Sequence, residues 1–464
     1  MRRMPFALSF CFAAVLAAQS DAPPQSSAPV GLAPLLDSFC KPLVESEVVL
    51  GLVVGVIDGE RTEIRGYGRA RFEAEGAPTA DTMFEIGSIS KVFTGVLLAH
   101  AVARGEVALD DLAQKHMPEG KTLPKTDANQ IRLVDLATHM SGLPRLPDGM
   151  DPRGEDPYAK FTRELLYDRA CGSMLRNEPG STYEYSNLGA ALLGQILVDR
   201  AGAESFEQLL RDRVLSPLAM QRTGIRLPEG AMASASGSDA DLAPKSPWDL
   251  AAFGPAGGIR SCMDDMLKFA RAQWTPLAAS HAASSLESAR EKRRDLAGGA
   301  AIGLGWHIAK DGTTRWHNGE TGGFHSALFV RVEERRAVCI LANTASATID
   351  AVAERLMKRL CGGKDEPLKF EKPIAVEPDA LDRFVGVYEL QDGIAAMVTR
   401  KDRCLWAQIT GQPALRILPR SPTEFFYRAV QATIRFQQEG DSVTGLELEQ
   451  GGRRSKWKKL PQAR

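Results

Sequence analysis

Residues 48–57 read Val-Val-Leu-Gly-Leu-Val-Val-Gly-Val-Ile, ten positions without a polar side chain. A run this apolar and this rich in β-branched residues is satisfied as a strand covered on both faces. Residues 61–72 read as its hairpin partner. Strand-like runs then disappear and return only at 301–309, 312–318, 324–332 and 336–342. Between them the periodicity is helical at 90–103, 187–214 and 262–274. Short helices and Pro- and Gly-rich loops fill 118–180, and 231–247 is a polar loop rich in Ala and Ser. Further helices are expected at 32–46 and 347–361. Strands that bracket a helical middle imply an α+β fold, an antiparallel sheet flanked by helices with an all-helical insert.

Beyond residue 361 the texture changes. Residues 362–379 carry three prolines and no periodicity, as a linker does. Eight short strand candidates follow between 384 and 459 at a spacing of about 9–10 residues, which predicts a small all-β barrel or sandwich over 380–460. At the other end, Arg2 and Arg3 precede an apolar run at 6–18, followed by small and polar residues. This reads as a secretory signal peptide over 1–20, with Ala18-Gln19-Ser20 as a candidate cut, then a flexible leader over 21–31. The apolar run is shorter than the roughly 20 residues of a transmembrane helix. The core domain is then 32–361, and the protein is expected to be exported, periplasmic or secreted.

Composition narrows the partners. Lys plus Arg is 57 and Asp plus Glu is 58, a net charge of −1. So even a balance leaves no footprint for nucleic acid or an acidic membrane, and the expected partner is a small molecule or a cell-wall peptide. With 44% hydrophobic and 25% charged residues, the chain is neither disordered nor a multi-span membrane protein. Six cysteines remain beyond Cys11, with no CxxC spacing, so buried free thiols are the default reading. The histidines are scattered, HExxH and Walker motifs are absent, and no metal or cofactor is expected.

Three short constellations carry chemistry. Ser88 and Lys91 lie three residues apart at the start of a predicted helix, on one face. A serine hydroxyl needs an adjacent base, and a lysine serves if burial or a neighbouring charge pulls its pKa down. Alone, the pair also reads as a capping serine and an exposed lysine. Tyr185 and Asn187 flank one residue just before the helix at 187; they suit a phenolate or proton relay and an amide that positions a lysine, or an aromatic plug and an N-cap. Residues 316–324, Trp-His-Asn-Gly-Glu-Thr-Gly-Gly-Phe, form a Gly-rich strand edge whose backbone N–H can face that of Ser88.

In this order along the chain, the three pieces resemble the serine β-lactamase and penicillin-recognising enzyme family, in the branch of class C β-lactamases, D-alanyl-D-alanine carboxypeptidases, D-aminopeptidases and related esterases. Asp135-Leu136-Ala137-Thr138-His139-Met140-Ser141-Gly142-Leu143-Pro144 and Ala256-Gly257-Gly258-Ile259-Arg260-Ser261 resemble two supporting segments. The resemblance implies Ser88 as acylated nucleophile and Lys91 with Tyr185 as shared base and proton relay. It implies Asn187 as the residue that positions Lys91 and the substrate amide. The N–H groups of Ser88 and Glu320 become the oxyanion hole, with His317, Asn318 and Gly319 on the substrate-binding strand. Esterase activity and a non-hydrolysing penicillin sensor are the other readings.

The departures have consequences. His317 stands where β-lactamases usually carry Lys, so a fixed cation is missing, as in D-peptide-cleaving relatives. Asn318 replaces Thr or Ser. Ser238 follows Ala235-Ser236-Gly237 where an aromatic is frequent, which implies a more open wall. The family also packs its first and last core helices side by side, which raises a Cys40–Cys361 disulfide as an alternative to free thiols. The C-terminal module either shapes the cleft or packs against the core.

Overall fold

The computed structural model describes residues 31–151, 156–226, 234–275 and 281–461, apart from positions 392, 402 and 429. The signal-peptide region and Cys11 lie outside the described residues, as do 231–233 of the polar loop.

The core elements are α1 (Leu32–Glu45), β1 (Gly51–Asp58), β2 (Arg61–Gly68), α2 (Ser90–Ala103), α3 (Asn187–Ala201), β3 (Thr314–Glu320), β4 (His325–Arg331), β5 (Arg336–Ala342) and α4 (Thr348–Leu360). The antiparallel sheet runs β2-β1-β5-β4-β3, and three two-residue strands at His307–Ile308, Ala301–Ile302 and Arg294–Asp295 extend it. Alternation along the central strands splits their apolar residues between two layers. Val54, Val56 and Ile340 meet Leu36, Phe39, Leu43, Val352 and Leu356 of α1 and α4. Val53, Ile57, Cys339 and Leu341 belong to the larger cluster that includes α2, α3 and the helical lobe.

The run at 187–214 is not one helix. Gly202 takes φ +61° and caps α3; the chain resumes as a helix at Phe206–Leu210 and a π-helical turn at Arg211–Leu215. The run at 301–309 holds only two short strands. Gly303-Leu304-Gly305 crosses α2 there, with Leu304 fully buried and Gly305 at φ +76°.

The C-terminal unit is a closed barrel of eight antiparallel strands: β6 (Gly386–Gln391), β7 (Ile394–Lys401), β8 (Cys404–Ile409), β9 (Leu415–Pro419), β10 (Glu424–Tyr427), β11 (Ala432–Glu439), β12 (Ser442–Gln450) and β13 (Arg453–Lys459). Closure leaves no free sheet edge. Phe384, Tyr388, Phe425, Phe436 and Trp457 fill its interior, with Phe384 and Phe436 rings 4.4 Å apart. The barrel docks on the turn after α1, where Arg416 pairs with Glu47 and Arg428 donates to the Ser46 carbonyl. A cavity of about 730 Å³, lined in part by Phe72, Leu242, Trp406 and Arg416, lies between the two units.

The disulfide alternative is not realised. Cys40 is free and fully buried, and Cys361 is free with its thiol 3.8 Å from Met357 Sδ. Among the described residues no helix is long and apolar enough to cross a membrane.

Candidate active site

Ser88 is not in the helix but one turn ahead of it. Phe84–Glu85 pairs with Arg260–Ser261, Gly87 turns the chain at φ +50°, and Ser88 sits in the 3-10 turn Gly87–Ile89 that leads into α2. A left-handed residue is needed there, and glycine also leaves room. A Cβ on Gly87 would lie 2.7 Å from the Glu320 nitrogen, and one on Gly319 would lie 2.8 Å from the Ser88 nitrogen. Two glycines thus let the backbone at Gly87–Ser88 approach that at Gly319–Glu320, the closeness that an oxyanion hole made of the Ser88 and Glu320 N–H groups would need.

Helix α2 is apolar on every side and buried from Ser90 to Ala101, so it is a core helix rather than a surface one. Lys91 is 3% exposed. Its Nζ lies 2.9 Å from Ser88 Oγ and donates to the Ala256 carbonyl at 2.6 Å. That carbonyl belongs to the turn Gly254–Gly257, fixed by Thr94 Oγ1 to Pro255 O at 2.7 Å and by Ile259 N to Ser90 Oγ at 3.0 Å. Burial, then the charge of Arg145, holds the Lys91 ammonium pKa well below the usual lysine range. A neutral amine beside a serine hydroxyl is the base the serine needs.

Tyr185 packs over Lys91, with Nζ 4.8 Å from the ring centroid, and its hydroxyl bonds Ser88. Arg145 Cζ lies 4.9 Å from the same centroid. Burial raises the Tyr185 pKa, outweighing the lowering pull of its hydrogen bond with Ser88 and of the Arg145 charge. The residue is therefore a neutral phenol.

Asn187 departs from the expectation. Its Nδ2 donates to the Tyr158 hydroxyl at 3.3 Å, its Oδ1 is buried without a partner, and the Ala256 carbonyl takes the place beside Lys91 that the amide was expected to fill. The unpartnered Oδ1 is left as an acceptor.

Strand β3 alternates. Gly319 faces Ser88 and His317 lies 6.4 Å from the Tyr185 ring, whereas the side chains of Asn318 and Glu320 engage groups of α4 and β4. His317 is 1% exposed, and burial pushes its pKa well down, so it is uncharged. Its Nδ1 lies 2.6 Å from the Asn318 carbonyl, which only accepts; the proton therefore sits on Nδ1, and Nε2 is a buried acceptor without a partner. Asn318 does not serve the pocket: its amide donates to Asp350 at 2.7 Å. The same carboxylate holds His325 Nε2 at 2.8 Å, and Glu320 holds His325 Nδ1 at 3.0 Å. This pair of carboxylates raises the His325 pKa to about 9 against its burial.

Several neighbours were not visible as site residues in the sequence. His139 stacks on Tyr185 with ring centroids 4.3 Å apart. Trp248 lies 5.5 Å from the Tyr158 ring and against Gly322, so an aromatic does stand on the side where Ser238 suggested an open wall. Ser238 itself is buried and bonds Asn343 and Thr344. His139 and Arg145 sit inside and just beyond the segment ending at Pro144, which was the available signal. Among the described residues no group of three His, Cys, Asp or Glu is placed to hold a metal ion.

The beta-lactamase family model matches residues 36–360, and a domain of unknown function, DUF3471, matches 371–458. The D-alanyl-D-alanine-carboxypeptidase/endopeptidase AmpH of Escherichia coli strain K12 is 29% identical over 266 residues, 56% of this chain and 68% of its own. Penicillin-binding protein 4* of Bacillus subtilis strain 168 is 25% identical over 445 residues, 90% of this chain and 96% of its own. The crystal structure of a beta-lactamase/D-alanine carboxypeptidase from Yersinia pestis, complexed with citrate, shares the fold with a TM-score of 0.62 at 23% identity, over 71% of this chain and 97% of that one. With a match that spans nearly the whole core and a buried Ser88–Lys91–Tyr185 cluster beneath it, the chain belongs to the beta-lactamase family.

Proposed function

We propose that the protein is an exported serine hydrolase that forms an acyl-enzyme on Ser88 and hydrolyses amide bonds of β-lactams or D-amino-acid peptides. The observation that carries this is the Lys91 Nζ to Ser88 Oγ contact of 2.9 Å in a site where burial disfavours the charged ammonium. Export rests on the charged and apolar N-terminal stretch.

In the first half-reaction Ser88 Oγ bonds to the carbonyl carbon and its proton passes to Lys91 Nζ. The carbonyl oxygen takes up negative charge against the N–H groups of Ser88 and Glu320. The carbon–nitrogen bond then breaks, and the leaving nitrogen receives a proton through Tyr185, resupplied from Lys91. In the second half-reaction water attacks the Ser88 ester and gives a proton to the same relay; the bond from the carbonyl carbon to Ser88 Oγ breaks, the relay returns the proton to Oγ, and the acid is released. Lys91 and Tyr185 titrate as one coupled unit in these steps. His317 offers no charge to a substrate carboxylate, which favours a peptidase or broad amidase over a dedicated β-lactamase.

Intact-mass measurement after mixing with a penicillin tests the reading. A transient adduct on Ser88 is expected, with Ser88→Ala unlabelled and its turnover lower by at least roughly 10³-fold. A permanent adduct makes the protein a sensor, and ester turnover without a penicillin adduct makes it an esterase. Full activity in Ser88→Ala overturns all three.

A further inference from the structure

We propose that Arg145 is the substrate-recognition cation of this cleft, selecting amides or esters that carry a free carboxylate close to the scissile bond. The proposal rests on acylation of Ser88.

The argument starts from the strand. His317 occupies the position from which a cation is expected to reach substrate, yet it is buried, uncharged and presents a bare Nε2 acceptor. Glu320 faces His325 instead. The stretch His317–Glu320 of β3 therefore offers an anion no side-chain cation, and Arg315 of the same strand donates to the carbonyls of Arg290, Gly312 and Thr313. The opposite wall does offer something. Arg145 follows Leu143-Pro144, and its carbonyl accepts the N–H groups of Asn187 at 2.9 Å and Leu188 at 3.3 Å. Its backbone is thereby tied to the first turn of α3, two residues past Tyr185. Its guanidinium lies over the Tyr185 ring, whose hydroxyl bonds the nucleophile. The side chain is exposed, and no ion pair engages it among the described residues. The groups whose charge bears on Lys91, Tyr185 and His317 are Arg145, the other histidines, Lys91 itself and neighbouring phenols, with no carboxylate among them.

An uncompensated guanidinium at the mouth of a low-dielectric site is costly to leave unpaired once a substrate covers it. It is well matched to a carboxylate, which it can grip with two parallel N–H bonds. A neutral substrate at the same place would strip water from Arg145 without replacing it, so selectivity arises both from attraction and from penalty.

The test uses two matched ester pairs on the full-length protein. One pair places the carboxylate on the acyl portion: mono-4-nitrophenyl succinate against its methyl ester. The other places it on the leaving group: 3-carboxyphenyl butyrate against its methyl ester. For at least one pair the wild type is expected to favour the acid in kcat/KM. Arg145→Gln should lower that acid-to-neutral ratio by roughly 10- to 100-fold, the loss of one charge-assisted contact. Arg145→Lys should retain part of it, since charge survives but the fork does not. The ratio is internal to each variant, so a general loss of activity does not move it. An unchanged ratio in Arg145→Gln, or no preference for acid in either pair, overturns the proposal. If none of the esters is turned over or labels Ser88, and a penicillin gives no adduct either, the serine-hydrolase reading itself fails, which is a different result.

Discussion

Around Ser88 the interior holds Lys91, His139 and His317, all nearly inaccessible, and Nε2 of each histidine has no partner. Inside the barrel the space is taken by Phe384, Tyr388, Phe425, Phe436 and Trp457, and the Tyr388 hydroxyl is satisfied by the Phe384 carbonyl at 2.7 Å. Both units bury aromatic residues, but the unmatched atoms fall differently: those of the barrel are Arg416 Nε, Arg428 Nε and Gln438 Nε2, outside its aromatic interior, whereas those of the core include His139 Nε2, Asn187 Oδ1 and His317 Nε2 beside the Ser88 cluster. A buried donor or acceptor without a partner costs stability, on the order of 1–3 kcal/mol each. The core tolerates that cost around Lys91, and the unmatched atoms are those free to act on a substrate. The barrel shows packing alone, which fits a module whose contribution is shape and attachment.

Substitutions can break this contrast at defined places. The largest effect is expected for Gly319→Ala. Its Cβ would lie 2.0 Å from the Ile86 carbonyl and 2.8 Å from the Ser88 nitrogen, so the backbone must move beside the Ser88 and Glu320 nitrogens. Loss of one oxyanion donor corresponds to roughly 10²- to 10³-fold in kcat. A kcat within twofold of wild type would remove Glu320 N–H from the mechanism. Next is Phe436→Ala, which empties the centre of the barrel. A fall in barrel stability of about 3–5 kcal/mol is expected, read by calorimetry, while penicillin labelling of Ser88 persists. Loss of labelling along with the barrel would show that the core depends on it.

The smallest effect is in pH dependence, where the core contains opposite cases. His325 has its pKa raised from 6.5 to about 9 by Asp350 and Glu320, despite burial. The folded state holds this proton more tightly, so the stabilisation is complete below pH 6.5 and is lost as pH rises toward 9. Its full size is about 3 kcal/mol at most. His307 is the reverse: burial lowers its pKa to about 4, so the folded state resists protonation and stability falls as pH drops from 6.5 toward 4. Urea midpoints across this range should decline at both ends, and His325→Gln should flatten only the alkaline limb. An alkaline limb unchanged in that variant would discard the His325 assignment.

The barrel was the more legible unit. Its strands are short, regularly spaced and separated by turn residues, and each repeats the same local rule. The core's bracketing strands were equally plain, because an unbroken apolar run has few other solutions. Where the sequence reading slipped, a single backbone position decided the outcome. Gly202 ended a helix that apolar periodicity alone would continue. At the site, spacing brought out Ser88, Lys91 and Tyr185 because their chemistry demands those types close together. It misjudged Asn318, since strand alternation and the competing Asp350 depend on a helix that follows about thirty residues later. It missed Arg145 and Trp248 for the same reason: their relation to Tyr185 and Tyr158 exists only in the folded chain.

The glycines around α2 have a consequence in time as well as space. A Cβ on Gly95 would meet the Leu304 carbonyl at 2.0 Å, and one on Gly305 would meet the Lys91 carbonyl at 2.4 Å. The nucleophile-bearing helix and the segment crossing it are thus in backbone contact, with no side chain between them to yield. Small local fluctuations cannot admit water there. Amide protons of α2 should therefore exchange with solvent only when the whole core opens, while those on the Arg145 wall exchange by local motion. Substrate would then enter against a fixed nucleophile, and the movement that admits it would belong to the opposite wall.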